Sequence, residues 1–105
     1  MILVNIDYIP GKEITESLGI VRGSTIQAKN IGKDIMAGLK TIVGGEISEY
    51  TEMLDSARKV AIGRMVKNAE EIGADAVINI RFASSSVMQG AAELYVYGTA
   101  VKIKY

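Results

Sequence analysis

Neither cysteine nor histidine occurs anywhere in the 105 residues, and tryptophan is missing too. Without cysteine there is no disulfide and no thiolate. Without histidine there is no imidazole to hold a metal or move a proton near neutral pH. Cysteine and histidine nucleophiles are therefore excluded, and the five methionines are the soft donors left for a metal such as copper or zinc. Proline occurs once, at Pro10, and phenylalanine once, at Phe82. So little proline, with 49% apolar residues, describes a folded chain and not a disordered one. An excess of one charge is also missing, because twelve basic residues meet twelve acidic ones. No strong net field steers such a protein onto nucleic acid or an anionic membrane. No apolar run approaches the roughly 20 residues of a membrane span, and Met1 to Asp7 lacks the basic lead of a signal peptide. The expectation is a soluble, cytoplasmic, single domain over residues 1–105, large enough for one modest core.

What is present is pattern. Ile2, Val4, Ile6 and Tyr8 alternate with their neighbours, which reads as a short strand stopped by Pro10-Gly11. Leu18, Ile20, Ile26 and Ala28 share one parity, so residues 17–29 read as a second strand. Gly19 and Gly23 within it predict a bulge or a close approach of another backbone. Lys33 to Val43 carries Ile35, Leu39 and Ile42 at helical spacing, a short helix closed by Gly44-Gly45. Then Ile47, Tyr50, Leu54, Ala57, Ala61, Met65, Ala69 and Ile72 step by three or four along one long helix. Glu46, Glu49 and Glu52 lie near its start, where the helix dipole favours negative charge, and Gly73 is placed to cap its end. Much of the stripe is alanine, which lets a helix lie close to a sheet. Asp75 to Ala83 reads as a strand, Ser84 to Gly90 as a polar loop, and Ala92 to Tyr105 as a long strand. In that last strand Leu94, Val96 and Ala100 share one face, and Tyr95, Tyr97, Val101 and Ile103 the other.

This order gives an α+β fold: a small sheet, one long helix on one of its faces, and a short helix. One helix covers only one face. The last strand is apolar on both, so the second, tyrosine-rich face needs a partner, which argues for a homo-oligomer. The alternative is that the N-terminal strand and short helix fold back over that face.

An ordered set of pieces resembles the YbjQ-like family, small bacterial and archaeal proteins labelled as heavy-metal-binding. The pieces are Leu18-Gly19-Ile20-Val21-Arg22-Gly23, Gly44-Gly45-Glu46 through Tyr50-Thr51, then Arg58, Ala61 and Met65 on the helix. Gly73-Ala74-Asp75-Ala76-Val77-Ile78, Arg81-Phe82 and Tyr97-Gly98-Thr99-Ala100-Val101 complete it. The resemblance implies a mainly antiparallel sheet with the long helix packed on it, and assembly into rings, pentamers in the first place. It supplies no catalytic residue.

Candidate chemistry is sparse. Met36 and Met65 fall on or beside apolar helix stripes, where methionine fills cores. Glu46, Glu49 and Glu52 could hold a hard divalent cation if a ring repeated them, or serve only to match the dipole. Gly44-Gly45 before a helix could cradle an anion, but the acids beside it would repel phosphate, and a helix-linking turn is the simpler reading. Arg58, Arg64 and Arg81 could take an acidic ligand or pair across an interface, with Glu46, Glu93 and Asp75 as candidate partners. Ser84-Ser85-Ser86 has no base of the usual kind beside it. The expected ligand-binding or interface residues are therefore Gly44, Gly45, Glu46, Glu49, Tyr50, Arg58, Arg64 and Arg81. The reading is a non-enzymatic oligomer that binds a small ligand or partner, with no cofactor. Its alternatives are a carboxylate cation binder and a small hydrolase or lyase with sites between subunits. A chain without cysteine or histidine has no tight site for zinc. Calorimetric titration with zinc should show no single sub-micromolar site, and finding one would mean that oxygen donors alone hold the metal tightly.

Overall fold

Glu13–Ala28, Ala76–Met88 and Ala91–Lys104 are the three long strands among the described residues. The computed structural model describes residues 1–28, 42–43, 46–88 and 91–105. Among these the elements run β1 (Ile2–Leu3), β2 (Glu13–Ala28), β3 (Ile42–Val43), β4 (Glu46–Ile47), α1 (Ser48–Glu71), β5 (Ala76–Met88) and β6 (Ala91–Lys104). Four strands form a mixed sheet in the order β1-β5-β6-β2. β6 is antiparallel to both of its neighbours, from Glu13↔Lys104 to Ala28↔Ala91 on one side and from Ala76↔Val101 to Met88↔Ala91 on the other. β1 lies parallel to β5. β3 and β4 make a separate two-residue ladder.

α1 lies over β2 and β6 and barely meets β5. Its buried stripe is Ala57, Ala61, Met65 and Ala69, none more than 2% exposed. Ala61, Met65 and Ala69 pack on Val21, Val77, Val96 and Ala100 of the sheet. The approach is so close that a Cβ on Gly23 would overlap the Ala61 carbonyl oxygen and the Met65 nitrogen. Polar groups fix the same contact. The buried Thr25 hydroxyl donates to the Ala57 carbonyl at 2.9 Å. Arg64 Nη1 donates to the Ser24 carbonyl at 2.5 Å, and the Arg22 N–H donates to Asn68 Oδ1 at 3.2 Å. These last two bonds satisfy backbone groups of β2, an edge strand that would otherwise offer them to another chain. The helix ends in a Schellman turn: Gly73 takes φ +80°, with Gly73 N–H to the Glu70 carbonyl at 3.0 Å and Ala74 N–H to the Ala69 carbonyl at 3.0 Å.

A second apolar cluster, Ile9, Ala76, Ile78 and Val101, occupies the opposite face at one end. The N-terminal segment closes it, held by Val4 N–H to the Val77 carbonyl and Asn79 N–H to the Ile6 carbonyl. The fold-back of the N-terminus is thus real, but it covers only that end.

The expected bulge and close approach in β2 both occur, at Gly19 (φ +100°, beside a register shift) and at Gly23. Other expectations are corrected. The first strand stops at Leu3 and not Ile9. The left-handed Asn79 (φ 53°) and the register break between Ile78 and Arg81 leave no regular partner for it to follow. β2 starts at Glu13, ahead of the expected Ser17, because Ile103 and Lys104 of β6 pair with it there. Residues 84–88 are strand and not loop: Ser84↔Leu94 and Ser85↔Glu93 extend the ladder, so pairing overrides the weak strand preference of serine. The helix expected over Lys33–Val43 lies outside the described residues except at its end. There Ile42 and Val43 are strand, paired with Ile47 and Glu46. The long helix starts at Ser48, after that ladder.

Replacing Gly23 by Ala should lower the unfolding free energy by about 1–3 kcal/mol, because helix or strand must shift. Gly63→Ala, on the exposed side of α1 where an added Cβ meets nothing within 4 Å, should raise it by about 0.5–1 kcal/mol. Urea denaturation of both variants checks the pair.

Candidate binding face

Strand side chains alternate between faces. With Val21, Gly23 and Thr25 of β2 turned to α1, Ile20, Arg22, Ser24 and Ile26 fall on the other side. The register sets them in rows across three strands: Arg81–Tyr97–Arg22, Ala83–Tyr95–Ser24 and Ser85–Glu93–Ile26. Beyond the N-terminal segment, no element among the described residues covers these rows. Ile20 is 79% exposed and Ile26 60%. The Tyr95 and Tyr97 rings lie 5.9 Å apart at 32°. Arg22, Ser24, Ser85, Glu93 and Tyr95 line an open cavity of about 440 Å³ on this face.

The expected site residues are scattered by comparison. Gly44 and Gly45 lie outside the described residues. Glu46 pairs in β4 with Val43, and Glu49 and Tyr50 fall in the first turn of α1. Arg58 is exposed on α1 and pairs with Asp55 at 3.1 Å, a surface contact one helical turn back. It also rims a smaller apolar cleft of about 320 Å³ with Met53, Leu54 and Leu94. Arg64 is engaged with the Ser24 carbonyl. Arg81 Nη1 donates to the Asn5 carbonyl at 2.7 Å and to the Ile80 carbonyl at 2.9 Å, pinning the N-terminal segment. Asp75 does not serve an arginine: its Oδ2 accepts the Ile103 N–H at 3.0 Å. Glu93 does face an arginine's cavity, that of Arg22.

Arg22, Ser24, Ser85 and Tyr95 are not among the expected site residues. A signal exists for Arg22: it shares the parity of Ile20 and Ile26, a charge set between two isoleucines on one face.

The donor set does not suit a soft metal. The chain has no cysteine or histidine, and Met65 is fully buried in the core. Among the described residues no three Asp or Glu side chains converge. No helix there is long and apolar enough to cross a membrane.

Comparison with known proteins agrees with this fold. A family model described as "Putative heavy-metal-binding" matches residues 1–104. The UPF0145 protein of Clostridium novyi (strain NT) is 64% identical over 103 residues, covering 98% of this chain and 99% of that protein. A UPF0145 protein of Methanosarcina acetivorans is 63% identical over 103 residues, covering 98% and 97%. A crystal structure from Pediococcus pentosaceus, of a protein with unknown function in the DUF74 family, superposes with a TM-score of 0.64. It covers 99% of this chain and 98% of that one at 17% identity, a likeness of fold alone.

Proposed function

The chain belongs to the YbjQ-like family, and we propose that it acts as a non-enzymatic homo-oligomer, a pentameric ring, which binds a small ligand or partner on its bare sheet face. The observation that carries this reading is the exposure of Ile20 and Ile26 on that face, at 79% and 60%. Tyr97, beside them, is 38% exposed. Apolar and aromatic side chains grouped on an open face mark interaction surfaces. A neighbouring subunit seated there would remove both isoleucines from water, each contributing about 1.5–3 kcal/mol if fully buried.

Within the same reading Glu46, Glu49 and Tyr50 enter as residues of a subunit seam, together with Arg58, whose ion pair with Asp55 is exposed and weak. Arg64 and Arg81 enter with less freedom, since carbonyls already occupy them. A cytoplasmic setting suits a chain that uses no disulfide.

Light scattering at micromolar concentration should give a mass several times the 11.3 kDa of one chain, with five copies expected. Ile20→Lys should shift the assembly towards single chains without unfolding them. A mass near that of one chain for the unaltered protein would end the proposal.

A further inference from the structure

Arg22 and Glu93 face one cavity with opposite charges, yet neither takes part in an ion pair among the described residues. The register explains why. Arg22 stands opposite Tyr97, whereas Glu93 stands opposite Ile26. Four residues of strand separate the two rows, about 13 Å at roughly 3.3 Å per residue. No ion pair between them closes that span. The row between them supplies Ser24 and Tyr95, and Ser85 lies beside Glu93. Their three hydroxyls can each donate and accept a hydrogen bond.

From this arrangement we infer that the cavity binds a small zwitterion, its carboxylate on Arg22 and its ammonium on Glu93. The inference rests on the binding role proposed above and names its ligand class. The guanidinium fork matches a carboxylate in two parallel hydrogen bonds. Glu93 offers an ammonium group only acceptors, which is what it needs. A phosphate or other plain anion would meet repulsion from Glu93, and a plain cation would meet it from Arg22. Only a ligand with both charges, set apart along its length, satisfies both ends. The volume of about 440 Å³ lies at the small end of ligand sites. Ile26 stands in the Glu93 row itself, and Ile20 lies two residues beyond Arg22 on the same strand. A neighbouring subunit over them would roof the cavity, lower the local dielectric and strengthen both charge pairs.

The test uses 6-aminohexanoate, with hexanoate and hexylamine as single-charge controls, titrated into the ¹⁵N-labelled full chain. The zwitterion should shift the amides of Ser24, Ser85 and Tyr95 and bind at least tenfold more tightly than either control. Arg22→Gln and Glu93→Gln should each weaken it at least tenfold while keeping a folded spectrum. The double exchange Arg22→Glu with Glu93→Arg should restore binding with the ligand reversed. Hexanoate or hexylamine binding as well as the zwitterion overturns the inference, as does the absence of shifts with all three. Light scattering on the same samples separates the two proposals. An assembled protein that ignores the zwitterion removes the ligand, and a single chain that binds it removes the ring.

Discussion

Everything in this chain depends on how closely α1 lies against the sheet. The contact is between backbones: Gly23 sits under Ala61 and Met65 with no room for a Cβ. That closeness requires the alanine spacing on α1 and glycine at one position of β2. It also brings Arg64 and Asn68 within reach of the strand's backbone. The helix therefore does two jobs, burying the apolar core and sealing the edge of β2. Gly98 plays a similar part inside the sheet, where an added Cβ would meet Val77, Ile78 and Ile80 at the break in β5.

A helix held this tightly over β2 and β6 leaves β5 largely outside its cover. Phe82, on the helix side of β5, is consequently 46% exposed. The other face fares differently along its length. At the Ala76–Val101 end the N-terminal segment makes a second core. Past Arg81, which anchors that segment through Asn5, cover gives out and polar and apolar side chains alternate in the open. The bare face begins where the N-terminal segment gives out.

Most of the frame is legible from residue pattern. The long helix, its glycine stop, the two-faced last strand and the bulge at Gly19 all follow from period and from glycine. The errors share a physical origin. Serine has little strand preference of its own, so Ser84-Ser85-Ser86 reads as a loop although β6 holds it in the ladder. Ile42-Val43 and Glu46-Ile47 flank two glycines, a hairpin signal, yet the helical spacing of Ile35, Leu39 and Ile42 masks it. The candidate site is less legible because it is a product of register. Arg22 is far in sequence from Ser85 and Tyr95, and only antiparallel pairing across three strands sets them together. Arginines on the helix stand out by their spacing, while the one that faces the cavity lies between two isoleucines.

The order in which the strands pair also bears on how the chain reaches this state. β5 and β6 are neighbours in sequence and meet through a short connection, and α1 runs directly into β5. β2 has no such help: Glu13 must find Lys104, and Ala28 must find Ala91, across most of the chain. Closing so large a loop costs entropy before any contact rewards it. Folding should therefore begin in the C-terminal half, with β2 docking last, and α1 resting its alanine stripe chiefly on β6 until the strand that carries Gly23 arrives.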